Sequence, residues 1–365
     1  MSDCACSNNS SCLSSQATMP SFVEGVQKTM FGDVLKVKSS WNFCDLWGNI
    51  KSRLSNFRNT YMVNPGLYAI GNPNKDSDVF VSANYKLSFD ILRKELAGIN
   101  AWIVVLDTKS INVWCAAGKG TFGTSELISK IKDLHLDKLL SHKKLICPQL
   151  GAVGVSAYLV KKETGFKVKF GPVLAKDIKA YIENGYKKTE EMKRINFSFT
   201  ERLKIVPLEL NIALKKSVYI ILIVLFFFGL ESKGIMFSSI IEYSLPFIIL
   251  LLISIFSGSL LTSALLPILP SRSFIIKGYF LGFIITFISL IILSISSSLN
   301  IFFIISSLLF FPTVSSYLAF NLTGCTTYTS MSGVKKELDI GIWVYLGMLS
   351  ISAIMLILFK INTWS

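Results

Sequence analysis

Between Gly278 and Lys335 the chain carries no charged residue and no histidine. Such an interval is long enough for two bilayer-crossing helices of roughly 20 residues each, and the polar SSSLN at 296–300 is the natural divide. Two more uncharged runs, Tyr243 to Ser271 and Ile340 to Phe359, can each cross a bilayer. The stretch SVYIILIVLFFFGL at 217–230 is shorter, and it spans only if Lys215 and Lys216 extend their charges to the interface. The pattern predicts a transmembrane domain over 217–365 with five helices, at about 217–231, 244–268, 278–296, 300–320 and 340–360.

Loop charges give an orientation. Lys215, Lys216, Arg272, Lys277, Lys335 and Lys336 fall on one side of this scheme, and little more than Lys233 and Lys360 on the other. The positive-inside tendency then makes the protein a multi-pass protein of the inner (cytoplasmic) membrane, with its N-terminal domain in the cytoplasm and its C-terminus outside. The net charge is +14, and from Ser217 onward six Lys or Arg face four Asp or Glu, so the first 216 residues carry +12 of it. The excess thickens between Lys161 and Lys216, ahead of the membrane, where anionic lipid headgroups satisfy it without any nucleic acid. Residues 201–216 read as a basic juxtamembrane linker.

The N-terminal part divides again. Residues 1–40 start Ser/Asn-rich, hold Cys4, Cys6 and Cys12 without the apolar core of a signal peptide, and read as a flexible tail. The seven cysteines are expected to be reduced thiols. Residues 41–200 alternate strand and helix patterns. DVFVSANY (78–85) and the strongly apolar AWIVVLD (101–107) read as strands, the latter buried on both faces. LSFDILRKELAG (87–98) and TSELISKIKDLHLDKLL (124–140) read as helices, the second with Thr124 as its N-cap. KLICPQLGAVG, FKVKFGPV and AKDIKAYIENG continue the pattern. The expected fold is α/β and Rossmann-like, with ligands bound outside the carboxyl ends of the strands.

INVWCAAGKGTFGTSEL (111–127) follows one such end. Gly118, Gly120 and Gly123 spell GxGxxG, but about ten residues separate Asp107 from Gly118, and no acidic residue follows at the spacing that a dinucleotide fingerprint requires. Lys119 lacks the Ser or Thr of a phosphate-binding loop. Cys115 can instead be a core thiol, the common fate of a free cysteine. A third reading starts from Asn112, a good N-cap for a short helix VWCAAGK that places Cys115 in the first turn, where backbone dipoles favour a thiolate. Beside it Ala116, Ala117 and Gly118 have little bulk, which suits the flat face of a metal-bearing macrocycle.

These residues resemble a known family. NVWCAAGK, together with PGLYAIGNPN, VSANYKLSFDILRKEL, AWIVVLDTKSINVWCAAGKGTFGT and PQLGAVGV, looks like the HgcA family, the corrinoid proteins of bacterial and archaeal mercury methylation, and like their relative, the large subunit of the corrinoid iron-sulfur protein. NLTGCTTYTSMSGVKKE (321–337) resembles a further shared block. Five spans fit the mercury family and not its soluble relative. The resemblance implies a bound cobalamin with Cys115 as the lower axial ligand of cobalt. Asn112, Val113, Trp114, Ala116, Ala117, Gly118 and Lys119 would form a cap helix beneath the corrin. Ala83, Asn84, Tyr85, Thr108, Thr121, Gly123, Thr124, Gln149, Gly151, Ala152 and Val153 would supply its rim and tail contacts. Cys147 and Cys325 read as incidental.

The resemblance also implies an activity: transfer of a methyl group from methylcobalamin to Hg(II), giving methylmercury. A thiolate trans to the methyl group eases its departure toward an electrophile, and the protein tunes a chemistry that belongs to the cofactor. The expected partners are a small 4Fe-4S ferredoxin-type electron donor and a methyl-tetrahydrofolate-dependent methyl donor system. Two rivals stand beside this activity. One is a membrane-anchored corrinoid methyl carrier of one-carbon metabolism; the other is a membrane protein with a nucleotide-binding domain, whose spans would be expected to carry ionisable groups.

Overall fold

The computed structural model describes residues 19–195, 197–231, 234–235, 237–296, 300–326 and 331–364. It divides into two compact units, the first ending at Ile195. Cys4, Cys6 and Cys12 lie outside the described residues.

The strands of the first unit are β1 (Val23–Thr29), β2 (Gly32–Val37), β3 (Gly66–Ile70), β4 (Asp78–Ala83), β5 (Ala101–Leu106), β6 (Lys144–Cys147) and β7 (Lys167–Phe170). They form one seven-stranded sheet in the order β1-β2-β3-β5-β4-β6-β7. β5, β4, β6 and β7 are mutually parallel, and the chain winds outward from β4 in both directions, as in doubly wound folds. β3 runs antiparallel to β5, and the β1–β2 hairpin extends that side, so the sheet as a whole is mixed.

Side-chain alternation explains why the central strands read as continuous apolar runs. Val79, Val81, Trp102, Val104 and Leu106 enter one core with Ala116, Leu127, Ile131 and Val160, while Phe80, Ile103 and Val105 enter the other with Phe89, Leu92, Ile178 and Tyr181. The first core is covered by α3 (Val113–Lys119), α4 (Thr124–Asp133), α5 (Leu136–Leu139) and α6 (Ala157–Thr164), and the second by α2 (Lys86–Glu95) and α7 (Ile178–Glu183).

Two expectations need correction here. The tail does not extend to residue 40, because β1 and β2 occupy 23–37 within the sheet; as an edge hairpin they bury few of their residues, so their apolar signal is weak. The helix expected over 124–140 stops at Asp133, and His135 takes a left-handed conformation before α5 begins.

α1 (Phe43–Leu54) opens with a capping box between Asn42 and Asp45 and packs on α2 through an ionic cluster. Lys86 Nζ lies 2.7 Å from Asp45 Oδ1 and 2.7 Å from Asp90 Oδ2; Arg93 reaches Asp45 at 2.7 Å and Asp90 at 2.8 Å. All of these side chains are buried, so each charge depends on its partners. Burial pushes the Asp45 carboxyl up, but the hydrogen bond and charge of Lys86, the Asn42 N–H and the Arg93 charge outweigh it and hold the group below its ordinary value.

The second unit contains α8 (Phe199–Leu203), α9 (Val206–Gly229), α10 (Phe237–Phe256), α11 (Thr262–Leu265), α12 (Phe274–Ser296), α13 (Ile301–Asn321) and α14 (Met331–Trp364). A π-helical turn over Ser257–Leu261 joins α10 to α11. Five segments are long and apolar enough to cross a membrane: Phe199–Gly229, Tyr243–Leu265, Phe274–Ser294, Ile301–Gly324 and Ser332–Trp364. Their number matches the expectation, but their bounds do not. The linker expected at 201–216 is helical, because Pro207 sits in the first turn of α9 and Val206, Leu208 and Leu210 extend its apolar run back past Lys215. The third helix begins before Lys277, whose ammonium is buried and donates to the Leu266 carbonyl at 2.6 Å. α13 approaches its neighbours through small residues. Ser315 Oγ donates to the Gly278 carbonyl at 3.0 Å, Ser316 Oγ donates to the Ile275 carbonyl at 2.7 Å, and a Cβ at Gly282 would stand 2.6 Å from that of Ser315.

Candidate functional site

The site grows from the carboxyl ends of β4 and β5. Asn84, the first residue after β4, is 1% exposed, and its Oδ1 accepts from Thr108 N (3.2 Å), Thr108 Oγ1 (2.8 Å) and Ser110 N (3.0 Å) while its Nδ2 donates to Asp107 Oδ1 (3.1 Å). The Thr108 hydroxyl also lies within hydrogen-bond reach of the Ile111 carbonyl, at 2.7 Å, so its one proton is shared between two acceptors. Lys109 and Ser110 both take left-handed conformations (φ 55 and 60), so the chain turns sharply there. Such a turn costs free energy in non-glycine residues and persists because its surroundings over-determine it. Ser110 Oγ, bonded to the Arg58 carbonyl at 2.8 Å, and Glu126, whose Oε1 accepts from Asp107 N at 3.0 Å, complete that support.

This turn delivers α3. Asn112 caps it, its side chain accepting from Cys115 N at 2.9 Å, and Gly120 ends it in a left-handed conformation (φ 81). Cys115 is half-buried in the first turn. Ala116 and Ala117 are buried and belong to the core, so the expectation that they form the flat surface is corrected: helical periodicity points them inward. Trp114, Gly118 and Lys119 are exposed beside Cys115, and a Cβ at Gly118 would meet nothing within 4 Å. An open, shallow shelf therefore surrounds the thiol.

The loop after β6 meets α3 from the side. Gly154 abuts Ala117, where an added Cβ would stand 3.0 Å from the Ala117 Cα, and Gly151 packs against the Phe122 ring. Thr124 is not the cap of α4; Gly123 is, and the Thr124 hydroxyl accepts from Ser156 N at 2.8 Å and donates to the Gly154 carbonyl at 3.3 Å. Val153 projects from this loop with 83% exposure, whereas Gln149 is half-buried and bonded to Lys188.

The residues expected around the thiol thus separate into two sets. Asn112, Trp114, Cys115, Gly118, Lys119, Thr121, Ala152 and Val153 retain solvent access. Ala83, Asn84, Tyr85, Thr108, Gly123 and Gly151 are buried and shape the loops that present them, and Val113 is half-buried with its side chain against the core. Ser110, Glu126 and Lys188 were not anticipated, since each acts through a partner distant in sequence. Gly118, Gly120 and Gly123 span the end of one helix and the start of another, which is not the strand-to-helix turn of a dinucleotide site.

At the point where the sheet order reverses, beside β4 and β6, lies a cavity of about 90 Å³ lined by Ser82, Val113, Cys147 and Pro148 among others. It holds a few waters at most, too little for a planar cofactor. Cys147 is fully buried, and burial pushes its thiol up to about 12, which leaves it a protonated core residue. The side chain of Cys325 lies outside the described set. Among the described residues, no group of three or more His, Cys, Asp or Glu side chains converges to hold a metal ion.

Residues 34–182 match the protein family described as CO dehydrogenase/acetyl-CoA synthase delta subunit, a stretch that includes β3 to β7 and the whole shelf. Similar proteins include the acetyl-CoA decarbonylase/synthase complex subunit gamma of Archaeoglobus fulgidus, 31% identical over 131 residues, covering 35% of this chain and 27% of the relative. The corresponding subunit of Methanopyrus kandleri is 28% identical over 123 residues (33% and 26%). The corrinoid/iron-sulfur protein large subunit of Moorella thermoacetica is 29% identical over 117 residues (32% and 26%). The chain thus spans about a quarter of the length of these relatives, and the family match ends before the first candidate membrane helix.

Proposed function

We propose that the first unit binds a corrinoid on the shelf around Cys115 and carries a methyl group, making the protein a membrane-anchored corrinoid methyl carrier of one-carbon metabolism. The observation that carries this reading is the half-buried thiol of Cys115 on a capped helix with open space at Gly118, in a domain related to corrinoid/iron-sulfur and acetyl-CoA decarbonylase/synthase subunits. The donor set suits the group: a soft sulfur ligand on a flat surface matches a cobalt ion held in a planar ring.

When bound, the corrinoid supplies a cobalt-held methyl group. The chain's own residues do the rest. Cys115 would hold the cobalt through its Sγ, Asn112 would fix the turn that carries the thiol, and Trp114, Gly118 and Val153 would form the surrounding surface. Asn84, Thr108 and Ser110 set the height of that turn above the sheet. With the basic side of the loops inward, this unit faces the cytoplasm. The candidate partners are a 4Fe-4S ferredoxin-type reductant, a methyl-tetrahydrofolate-dependent donor and membrane lipid.

A second reading takes Hg(II) as the methyl acceptor, with methylmercury as product. Cys115 supports it, because an electron-rich thiolate holding the cobalt would suit delivery of a methyl group to a soft electrophile. One experiment addresses both. Full-length protein is reconstituted with cobalamin, and its visible spectrum is compared with that of Cys115→Ala. A spectrum that changes on loss of the thiol supports axial ligation, and absence of corrinoid binding by the folded wild type rejects the proposal. Methylated protein is then presented with Hg(II); methylmercury formed by wild type and lost in Cys115→Ala favours the second reading over a carrier with another acceptor.

A further inference from the structure

α1 is built inside out. Its inward residues are Asp45, Gly48 and Ser52, all buried, whereas Phe43, Leu46, Trp47, Ile50 and Leu54 point outward with exposures of 75, 49, 53, 48 and 41%. The spacing of these five places them on one helical arc. Lys51 and Arg53 border the arc on opposite sides, and Asp45, the one acid in the helix, is turned inward and held by Lys86 and Arg93. A helix of a soluble domain normally buries its apolar arc. Here the ionic cluster fixes the helix in the opposite sense, since rotating it would strip Asp45 of its partners and leave a buried charge unpaired.

We propose that the outward face of α1 lies in the interface of an anionic lipid bilayer, with Phe43, Leu46, Trp47, Ile50 and Leu54 among the upper acyl carbons and Lys51 and Arg53 at the headgroup phosphates. The composition of the face favours lipid over a protein partner: aromatic and aliphatic side chains without an acid, flanked by cations, are the pattern of helices that lie in a membrane surface. Chain connectivity favours it as well. The first unit ends at Ile195 and the first candidate membrane segment begins at Phe199, so a bilayer is always near and its effective concentration is high.

The test uses the full chain in nanodiscs of mixed phosphatidylcholine and phosphatidylglycerol. A keto amino acid replacing Ile50 is coupled to a nitroxide, which leaves the native cysteines alone, and a second sample carries the label at the exposed Glu163. Relaxation by oxygen and by a water-soluble nickel chelate is then compared. The expected result is an oxygen-to-nickel accessibility ratio several-fold higher at position 50 than at 163, falling when Lys51 and Arg53 are both changed to Glu or when phosphatidylglycerol is omitted. Equal ratios at 50 and 163 would mean water and would overturn the proposal. Low accessibility to both reagents at position 50 would mean a protein cover, a second copy or a partner, and would overturn it too. A high ratio indifferent to both charge changes would overturn the anionic requirement.

Discussion

The carboxyl ends of the central strands in the first unit and the helix contacts of the second both bury polar side chains, and they use them differently. At the strand ends one amide, Asn84, gathers three donors and fixes a turn in which two consecutive residues are left-handed. In the bundle the polar contacts are small hydroxyl bonds repeated between helices: Ser306 with Ser352 at 2.8 Å, Ser315 with Gly278 and Ser257, Ser316 with Ile275 and Tyr345. The first arrangement specifies one geometry at one place, as a ligand site requires. The second holds helices together in a setting where apolar surface gives no preference for a neighbour over lipid. The strand ends are therefore built to hold one local geometry and the bundle to hold helices side by side.

That contrast can be broken at measurable points. The largest effect is expected from Arg93→Met, which leaves Asp45 and Asp90 sharing Lys86 in a buried site and should cost about 3–5 kcal/mol; hydrogen exchange of the β4 and β5 amides would rise while the bundle stays protected. Gly278→Val places side-chain atoms against the α13 backbone and should cost about 1–3 kcal/mol of bundle stability, read by thermal unfolding in detergent, with the sheet amides unchanged. Asn84→Ala leaves Thr108 and Ser110 donors without an acceptor, at about 1–3 kcal/mol, and its signature is local: faster exchange over 108–119 and faster alkylation of Cys115, with β5 intact. The smallest effect belongs to Ser306→Ala, about 0.6 kcal/mol by analogy with other hydrogen bonds between membrane helices. If Ser306→Ala cost as much as Asn84→Ala, the division of labour drawn above would fail.

Much of the molecule can be read from residue order. β4 and β5 announce themselves because both faces are covered, with β5 apolar throughout and β4 apolar apart from Asp78 and Ser82. α3 is legible because its signals are local: Asn112 as cap, Gly120 as stop, Cys115 between them. The β1–β2 hairpin is not, since along β1 one residue is buried, three are partly buried and three are exposed. α1 escapes for a sharper reason: its apolar arc faces out, and its polar residues face in, so the usual inference from pattern to core points the wrong way. The early start of α9 is hidden by Lys215 and Lys216, which look like a boundary but are exposed within a continuous helix. The role of Asn84 depends on partners at Thr108 and Ser110, far along the chain, and no local pattern encodes it.

The Asn84 hub also decides what can be moved between proteins. The loop and helix at 107–120 take their position from Asn84 at the end of β4, one strand earlier in the chain, and not only from β5, to which they are joined. They are a two-part cassette: a graft of 107–120 onto another α/β scaffold carries its thiol to the right height only when an asparagine equivalent to Asn84 travels with it. An insertion between Leu106 and Asn112 would leave the helix attached but no longer addressed.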